Sequence, residues 1–247
     1  MTKFDRVYVV GKSFRNESSD FRHLTEFRHA EYEGFGSLED ILIVQERMIR
    51  YLIQELVENC EASLHFFLSD EDFKALDLPA GQFARVTFDE AFSELYRESK
   101  DTKYHPDSVT VASFDAKAEV LLTELVGDAK PVFVTYYPLS EVAFYHAVSP
   151  TRPTRAINAD LLFPGYGEVV GSGQRVFGRA DYERKRDLFR LRPDDYDWYG
   201  EIRESEKNTT SHSGFGLGLE RFLAAVLKLP TLVQAISFPR VHWAVRP

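Results

Sequence analysis

The sequence predicts an α+β fold, a mainly antiparallel β-sheet flanked by helices, from three observations. Strand-like runs follow one another without helical segments between them. Capped amphipathic stretches lie on either side of that block. Near the start, a polar tip joins two stretches rich in β-formers or alternating in character.

Taken in order, Arg6-Val-Tyr-Val-Val10 is rich in β-formers and Leu24 to Glu33 alternates with a period of two. Asn16-Glu-Ser-Ser-Asp20 lies between them, which predicts a long hairpin with a mobile tip. Ser37-Leu-Glu-Asp40 supplies an N-cap and first-turn acids. Ile41, Val44, Met48, Leu52 and Leu56 then continue at helical spacing to Asn59. Thr87-Phe-Asp-Glu90 is a capping box for a second helix to Ser99, and a third helix is expected from Phe114 to Leu125. Four strand-like runs follow: Pro131–Tyr137, Glu141–Val148, Arg155–Phe163 and Glu168–Phe177. A charged helical stretch leads to Gly214-Phe-Gly-Leu-Gly218 and a last helix from Leu219 to Lys228. No internal repeat, low-complexity tract or long linker interrupts the chain, so a single domain over residues 1–247 is expected.

Composition narrows the class. The chain is 44% hydrophobic and 28% charged, the ordinary balance of a soluble globular protein. No apolar run approaches the ~18 residues of a membrane span, and Met1 to Asp5 carries no signal-peptide core. A cytoplasmic protein with no membrane partner is expected. The one cysteine, Cys60, rules out an internal disulfide and continues an amphipathic pattern, so buried packing is its expected role. Net charge −9 works against nonspecific attraction to a polyanion. The run from Arg179 to Arg192 mixes basic residues with Asp181, Glu183 and Asp187 and reads as a solvated helix face.

Several constellations carry chemistry. Arg15 and Glu17 are two residues apart and share a strand face, as do Phe27, His29, Glu31 and Glu33 on the return strand. A guanidinium binds phosphate or carboxylate in bidentate fashion, and an aromatic ring stacks on a base. Arg22 and His23 add donors at the tip. Charge alternation on a half-exposed sheet produces the same pattern without function.

Asp160 and Glu168 are equidistant from Pro164, and a simple hairpin there would set them face to face. Two carboxylates so placed repel unless a cation such as Mg²⁺ with substrate phosphates lies between them; otherwise they are two separately solvated acids. Gly171-Ser-Gly-Gln-Arg175 combines bare backbone with an arginine. Gly214, Gly216 and Gly218 share one strand face and leave room for a flat ligand, which Arg221 in the following helical turn could cover. Their GxGxG spacing is not the GxGxxG of a dinucleotide fold. Walker A, HExxH, paired CxxC and GxSxG patterns are all absent.

These residues resemble a known family. Phe14-Arg-Asn-Glu17 followed by Arg22-His-Leu-Thr-Glu-Phe27 is similar to motif 2 of the class II aminoacyl-tRNA synthetases, in the aspartyl/asparaginyl group. Gly214-Phe-Gly-Leu-Gly-Leu-Glu-Arg221 resembles motif 3, and Phe238-Pro-Arg240 its usual sequel. Asp160, Pro164-Gly165, Glu168, Gly171, Gln174-Arg175 and Asp197-Trp-Tyr199 look asparaginyl. The resemblance implies a class II synthetase-like sheet with ATP as substrate and Mg as its metal. It implies that the catalytic residues are Arg15, on the α-phosphate and reacting carboxylate, and Arg221, above the adenine and near the γ-phosphate. Phe27 would stack under adenine, and Arg22, His23, Glu17 and Gly218 would complete the ATP site. Asp160 and Glu168 would bind the metal, Glu31 the substrate α-amino group, and Arg175 its side-chain carbonyl or carboxylate.

The chain begins almost at motif 2, so motif 1, which builds the family's dimer interface, and the anticodon-binding barrel are expected to be lacking. A homodimer is left open. The reading drawn from this is an AMP-forming ligase making an acyl-adenylate from an aspartate- or asparagine-like amino acid. The acceptor expected is ammonia, a small amine or a carrier, as in archaeal asparagine synthetases related to asparaginyl-tRNA synthetase, with tRNA disfavoured. An asparaginyl-type tRNA ligase or fragment, and a non-catalytic nucleotide-binding module, are the alternatives.

Overall fold

The computed structural model describes residues 4–16, 22–78, 80–105, 113–205 and 211–241. Seven strands form one sheet: β1 (Arg6–Phe14), β2 (Glu26–Phe35), β3 (Ala84–Thr87), β4 (Val132–Thr135), β5 (Asn158–Phe163), β6 (Gly167–Gln174) and β7 (His212–Gly218). Their order is β1-β2-β7-β6-β5-β4-β3, antiparallel throughout except for the parallel β3/β4 pair. The α+β expectation therefore holds, and the hairpin of β1 and β2 is in place. Its expected tip, residues 17–20, lies outside the described residues.

The helices are α1 (Leu38–Phe67), α2 (Asp70–Lys74), α3 (Phe88–Ser99), α4 (Ala116–Leu125), α5 (Gly178–Phe189), α6 (Pro193–Ser205) and α7 (Leu219–Val226). Ser37 and Thr87 both close capping boxes, with Asp40 and Glu90 returning the bond, so the two starts read from sequence are correct. The first helix runs past Asn59 through a kink at Cys60, whose φ of −130° is not helical. Cys60 is exposed there, contrary to the packing expected of it. The kink turns the amphipathic stripe, so periodicity carried across it places the thiol on the wrong side.

The run Glu141–Val148 is not a strand. A 3₁₀ turn (Leu139–Glu141) ends at its first residue, and beyond it only His146 and Val148 make single bridges, to Arg175 and Ala156. The other three runs match β4, β5 and β6, with β4 trimmed at both ends, β5 starting later and β6 running from Gly167 to Gln174. The short β3 and the helix α2 carry too few residues to stand out by periodicity. In the α5 segment Lys185 and Tyr182 are buried, so only part of that charged stretch is a solvated face.

The sheet separates two apolar cores. Phe133, Ala159, Leu161, Val170, Phe215 and Leu217 face α1 and α7. Val132, Val134 and Leu162 point the other way, into a second core with Phe88, Phe92 and Leu122 of α3 and α4. That second layer covers the β3–β5 end. Over β6, β7 and β2 the same face is open, and the cleft lies there. No helix among the described residues is long and apolar enough to cross a membrane.

Candidate active site

The cleft encloses about 880 Å³. Its floor is glycine. Gly171 lies opposite Gly216, and Gly173 opposite Gly214, across β6 and β7. Because all four share one face with Gly218, five positions on two adjacent strands present backbone where side chains would stand. Neighbours occupy most of this space. A Cβ on Gly214 would come within 3.0 Å of the Glu33 carboxyl and of the Tyr32 carbonyl oxygen; on Gly173 it would strike the His146 ring. One on Gly171 would lie 3.3 Å from Glu168 Oε1 and 3.6 Å from Asp160 Oδ1, and one on Gly218 would lie 3.5 Å from the Arg221 side chain. At Gly216 nothing approaches closer than Glu31 Cγ at 3.9 Å. The open centre of the floor is Gly216, ringed by charged and polar groups.

The hairpin supplies one wall. The Arg15 guanidinium lies 5.5 Å from the Phe27 ring centre, and the Arg15 N–H donates to Thr25 at 3.1 Å. Arg22 is buried and bonds Glu119 of α4 at 2.7 Å, while His23 lines the same cleft. Arg240 locks the loop end of the hairpin, contacting Glu26 at 2.9 Å, and its carbonyl accepts from Thr25 N–H at 3.1 Å. Glu17 lies outside the described residues.

The two acids do converge, but not as a cross-strand pair. A register shift between Leu161 and Leu162 places Asp160 opposite Gly171 and Glu168 opposite Leu162. The bulge breaks the symmetry about Pro164, and the carboxylates meet diagonally above Gly171. Burial, then the charges of Glu168 and Glu119, pushes Asp160 well above the usual carboxylate range, with the Tyr137 hydroxyl bonded to it. Burial also acts to raise Glu168, yet Arg221, bonded to it at 2.7 Å, holds it below its ordinary value. Arg221 thus lies over Gly218 with its guanidinium on Glu168.

A half-buried pair of hard oxygen donors, one kept from ionising freely by the other, suits Mg²⁺, which takes one or two carboxylates and leaves its other positions to water and phosphate oxygens. No group of three or more His, Cys, Asp or Glu side chains with metal-holding geometry occurs among the described residues.

At the far end, Arg175 is ion-paired with Glu33, Nε lying 3.0 Å from Oε1, and its guanidinium is 4.9 Å from the Tyr145 ring. Glu31, two residues along β2, is exposed in the cleft on the same face. Behind Glu33, His212 lies 3.7 Å away and contacts buried Arg203 at 3.0 Å. Burial and the nearby Arg203 and Arg175 charges push His212 down to about 3. Tyr199 also lines the cleft, with Arg203 5.0 Å from its ring. Asp197 instead braces α5 against α6 through Arg179 at 3.7 Å and Arg186 at 3.4 Å, and Trp198 is exposed.

The structure therefore gathers Arg15, Arg22, His23, Phe27, Glu31, Asp160, Glu168, Arg175, Gly218 and Arg221 into one cleft. It adds Glu119, Tyr137, His146, Arg203 and His212, which no motif marks. Glu119 exemplifies why: it bonds Arg22, 97 residues away, and accepts the Glu168 N–H across 49.

Comparison with known proteins identifies the family. Residues 1–242 match the family model for tRNA synthetases class II (D, K and N). The chain belongs to this family. Among its relatives, the asparagine–tRNA ligase of Roseiflexus sp. (strain RS-1) is 36% identical over 100% of the chain and 56% of its own length. That of Thermococcus kodakarensis is 37% identical over 98% of the chain and 54% of its own length. A structure of Pyrococcus horikoshii asparaginyl-tRNA synthetase complexed with asparaginyl-adenylate superposes with a TM-score of 0.86 at 34% identity, covering 99% of this chain and 54% of that one. The chain thus spans about half the length of the synthetases it matches. These relatives are tRNA ligases, and they lend no support to the ammonia, amine or carrier acceptor expected from sequence.

Proposed function

We propose that this class II core binds ATP and asparagine, or a close analogue, and joins the amino acid carboxylate to the α-phosphate with release of pyrophosphate. The observation that carries the reading is the bare centre at Gly216, with Arg15, Arg22, Arg221 and the acid pair on one side and Arg175 with Glu33 on the other. Adenine would lie between Phe27 and the Gly216–Gly218 backbone. Arg15 would hold the α-phosphate and reacting carboxylate together, because negative charge accumulates there during attack. Mg²⁺ on Asp160 and Glu168 would neutralise phosphate charge when bound. Glu31 and Arg175 would orient the amino acid. No separate base is required, since the attacking carboxylate is already ionised and positioning with charge stabilisation supplies the rate.

For the second step the likeness to asparagine–tRNA ligases supports a tRNA as acceptor, in place of the small amine. The test is amino-acid-dependent ATP–pyrophosphate exchange across the twenty amino acids, expected with asparagine foremost. No exchange with any of them would sink the adenylation reading. Adding tRNA, or ammonia, then separates the acceptors by the product formed.

A further inference from the structure

His146 belongs to the segment expected to be a strand, and its placement is set by the main chain. The Ala147 N–H donates to the Gln174 carbonyl at 2.8 Å and the Val176 N–H to the Tyr145 carbonyl at 2.9 Å, pinning the segment to the end of β6. The ring stands against bare Gly173, where a Cβ would come within 3.0 Å of both Nδ1 and Cε1. Gly173 stands two residues from Gly171 and two from Arg175, so His146 lies between the acid pair and the arginine. The residue is only 9% exposed and yet forms part of the cleft lining.

Its Nδ1 is enclosed, with no hydrogen-bond partner among the described residues. Burial, then the charges of Arg175 and Lys185, pushes the imidazole down to about 3, so it is neutral at physiological pH. A neutral ring carries one N–H. Buried donors without acceptors are rarer than buried acceptors left bare, so Nδ1 is the unprotonated nitrogen and Nε2 holds the hydrogen.

We infer that His146 is a specificity-determining residue, its Nε2–H donating to the side-chain oxygen of the amino acid bound beside Arg175. The inference rests on the proposed amino acid site and names a second group that reads the side chain. The ligand class is an amino acid with a carbonyl or carboxylate oxygen at the γ position. Arg175 meets that oxygen with a charge already engaged by Glu33; His146 meets it with an uncharged donor from the floor.

Two measurements test this on the whole chain. In protein labelled with ¹⁵N-histidine, the His146 signals, identified by their loss in His146→Gln, should have the Nε2–H pattern and shift when asparagine is added. They should shift far less with 2-aminobutyrate, which lacks the oxygen. In the exchange assay, His146→Phe should raise the asparagine KM roughly tenfold or more, as expected for a lost hydrogen bond that leaves a polar group unpaired. The ATP KM should stay unchanged, and His146→Gln, which restores an N–H donor, should recover part of the loss. A folded His146→Phe with the wild-type asparagine KM, or His146 signals unmoved by asparagine and aspartate alike, would overturn the assignment. If wild type exchanges no pyrophosphate, adenylation fails as the activity, and the labelled-histidine spectra still decide whether His146 meets the amino acid.

Discussion

The floor glycines invite a paired experiment, Gly216→Ala against Gly214→Ala. A methyl on Gly216 would find its nearest neighbour, Glu31 Cγ, at 3.9 Å, an ordinary contact, and Gly216 does not have a positive φ. With no strain introduced, less conformational freedom in the unfolded chain should make the variant about 0.4–1 kcal/mol more stable. At a few degrees per kcal/mol, the melting temperature should rise by roughly 1–3 °C. The methyl would, however, stand in the bare centre of the floor, where the proposed nucleotide site needs bare backbone. Lifting the ligand off that backbone should raise the ATP KM by about tenfold or more, or ~1.4 kcal/mol.

Gly214→Ala reverses the pattern. Its Cβ would come within 3.0 Å of the Glu33 carboxyl and the Tyr32 carbonyl oxygen, and backbone cannot step aside as a side chain can. Overpacking of this kind costs about 1–3 kcal/mol, so the variant should melt several degrees lower. Displacing Glu33 also frees Arg175, so the asparagine KM should change more than the ATP KM. Melting curves and exchange kinetics on the two variants give all four numbers. If Gly216→Ala keeps the wild-type ATP KM, the bare backbone at Gly216 is not the nucleotide's seat and the argument from the floor fails.

Three further outcomes are expected. Asp160→Asn with Glu168→Gln should abolish Mg²⁺-dependent exchange while leaving the fold intact, because it removes both donors and their mutual repulsion; undiminished activity places the metal elsewhere. Phe27→Ala should weaken ATP binding by about 1–3 kcal/mol, the range for stacking on a base, and equal affinity by calorimetry would remove Phe27 from the adenine slot. His146, held down to about 3 when folded, takes up its proton near 6.5 when unfolded, so the unfolded state binds more protons as pH falls through 6.5 towards 3. Stability should therefore drop over that window, by about 2 kcal/mol at pH 5 from this one residue. Denaturant titrations of His146→Gln should show a shallower fall, and an identical pH profile would refute the buried neutral ring.

Much of this molecule was readable from local chemistry. The capping boxes at Ser37 and Thr87 act within four residues, so their signal is complete in the sequence. The alternation of Gly214, Gly216 and Gly218 with Phe215 and Leu217 likewise sorts one strand into a bare face and a core face. Periodicity misled where geometry changed part-way along an element. The kink at Cys60 turned α1, and the register shift at Leu161/Leu162 moved Glu168 off Asp160's opposite position. Residues 141–148 are rich in β-formers, yet make only single bridges, because β6 pairs with β5 and β7 and leaves no ladder for them.

By itself, the sequence determined most of the element types, the polarity of the paired strand faces and the residue kinds offered to a ligand, since all of these follow from the spacing of neighbours along the chain. Tertiary structure decided which side chain stands over which glycine: Glu33 on Gly214, His146 on Gly173, the two acids on Gly171, Arg221 on Gly218, and nothing on Gly216. Those placements depend on strand order, on one β-bulge and on where a non-strand segment is pinned. They join residues distant in the chain through packing, which no local pattern encodes.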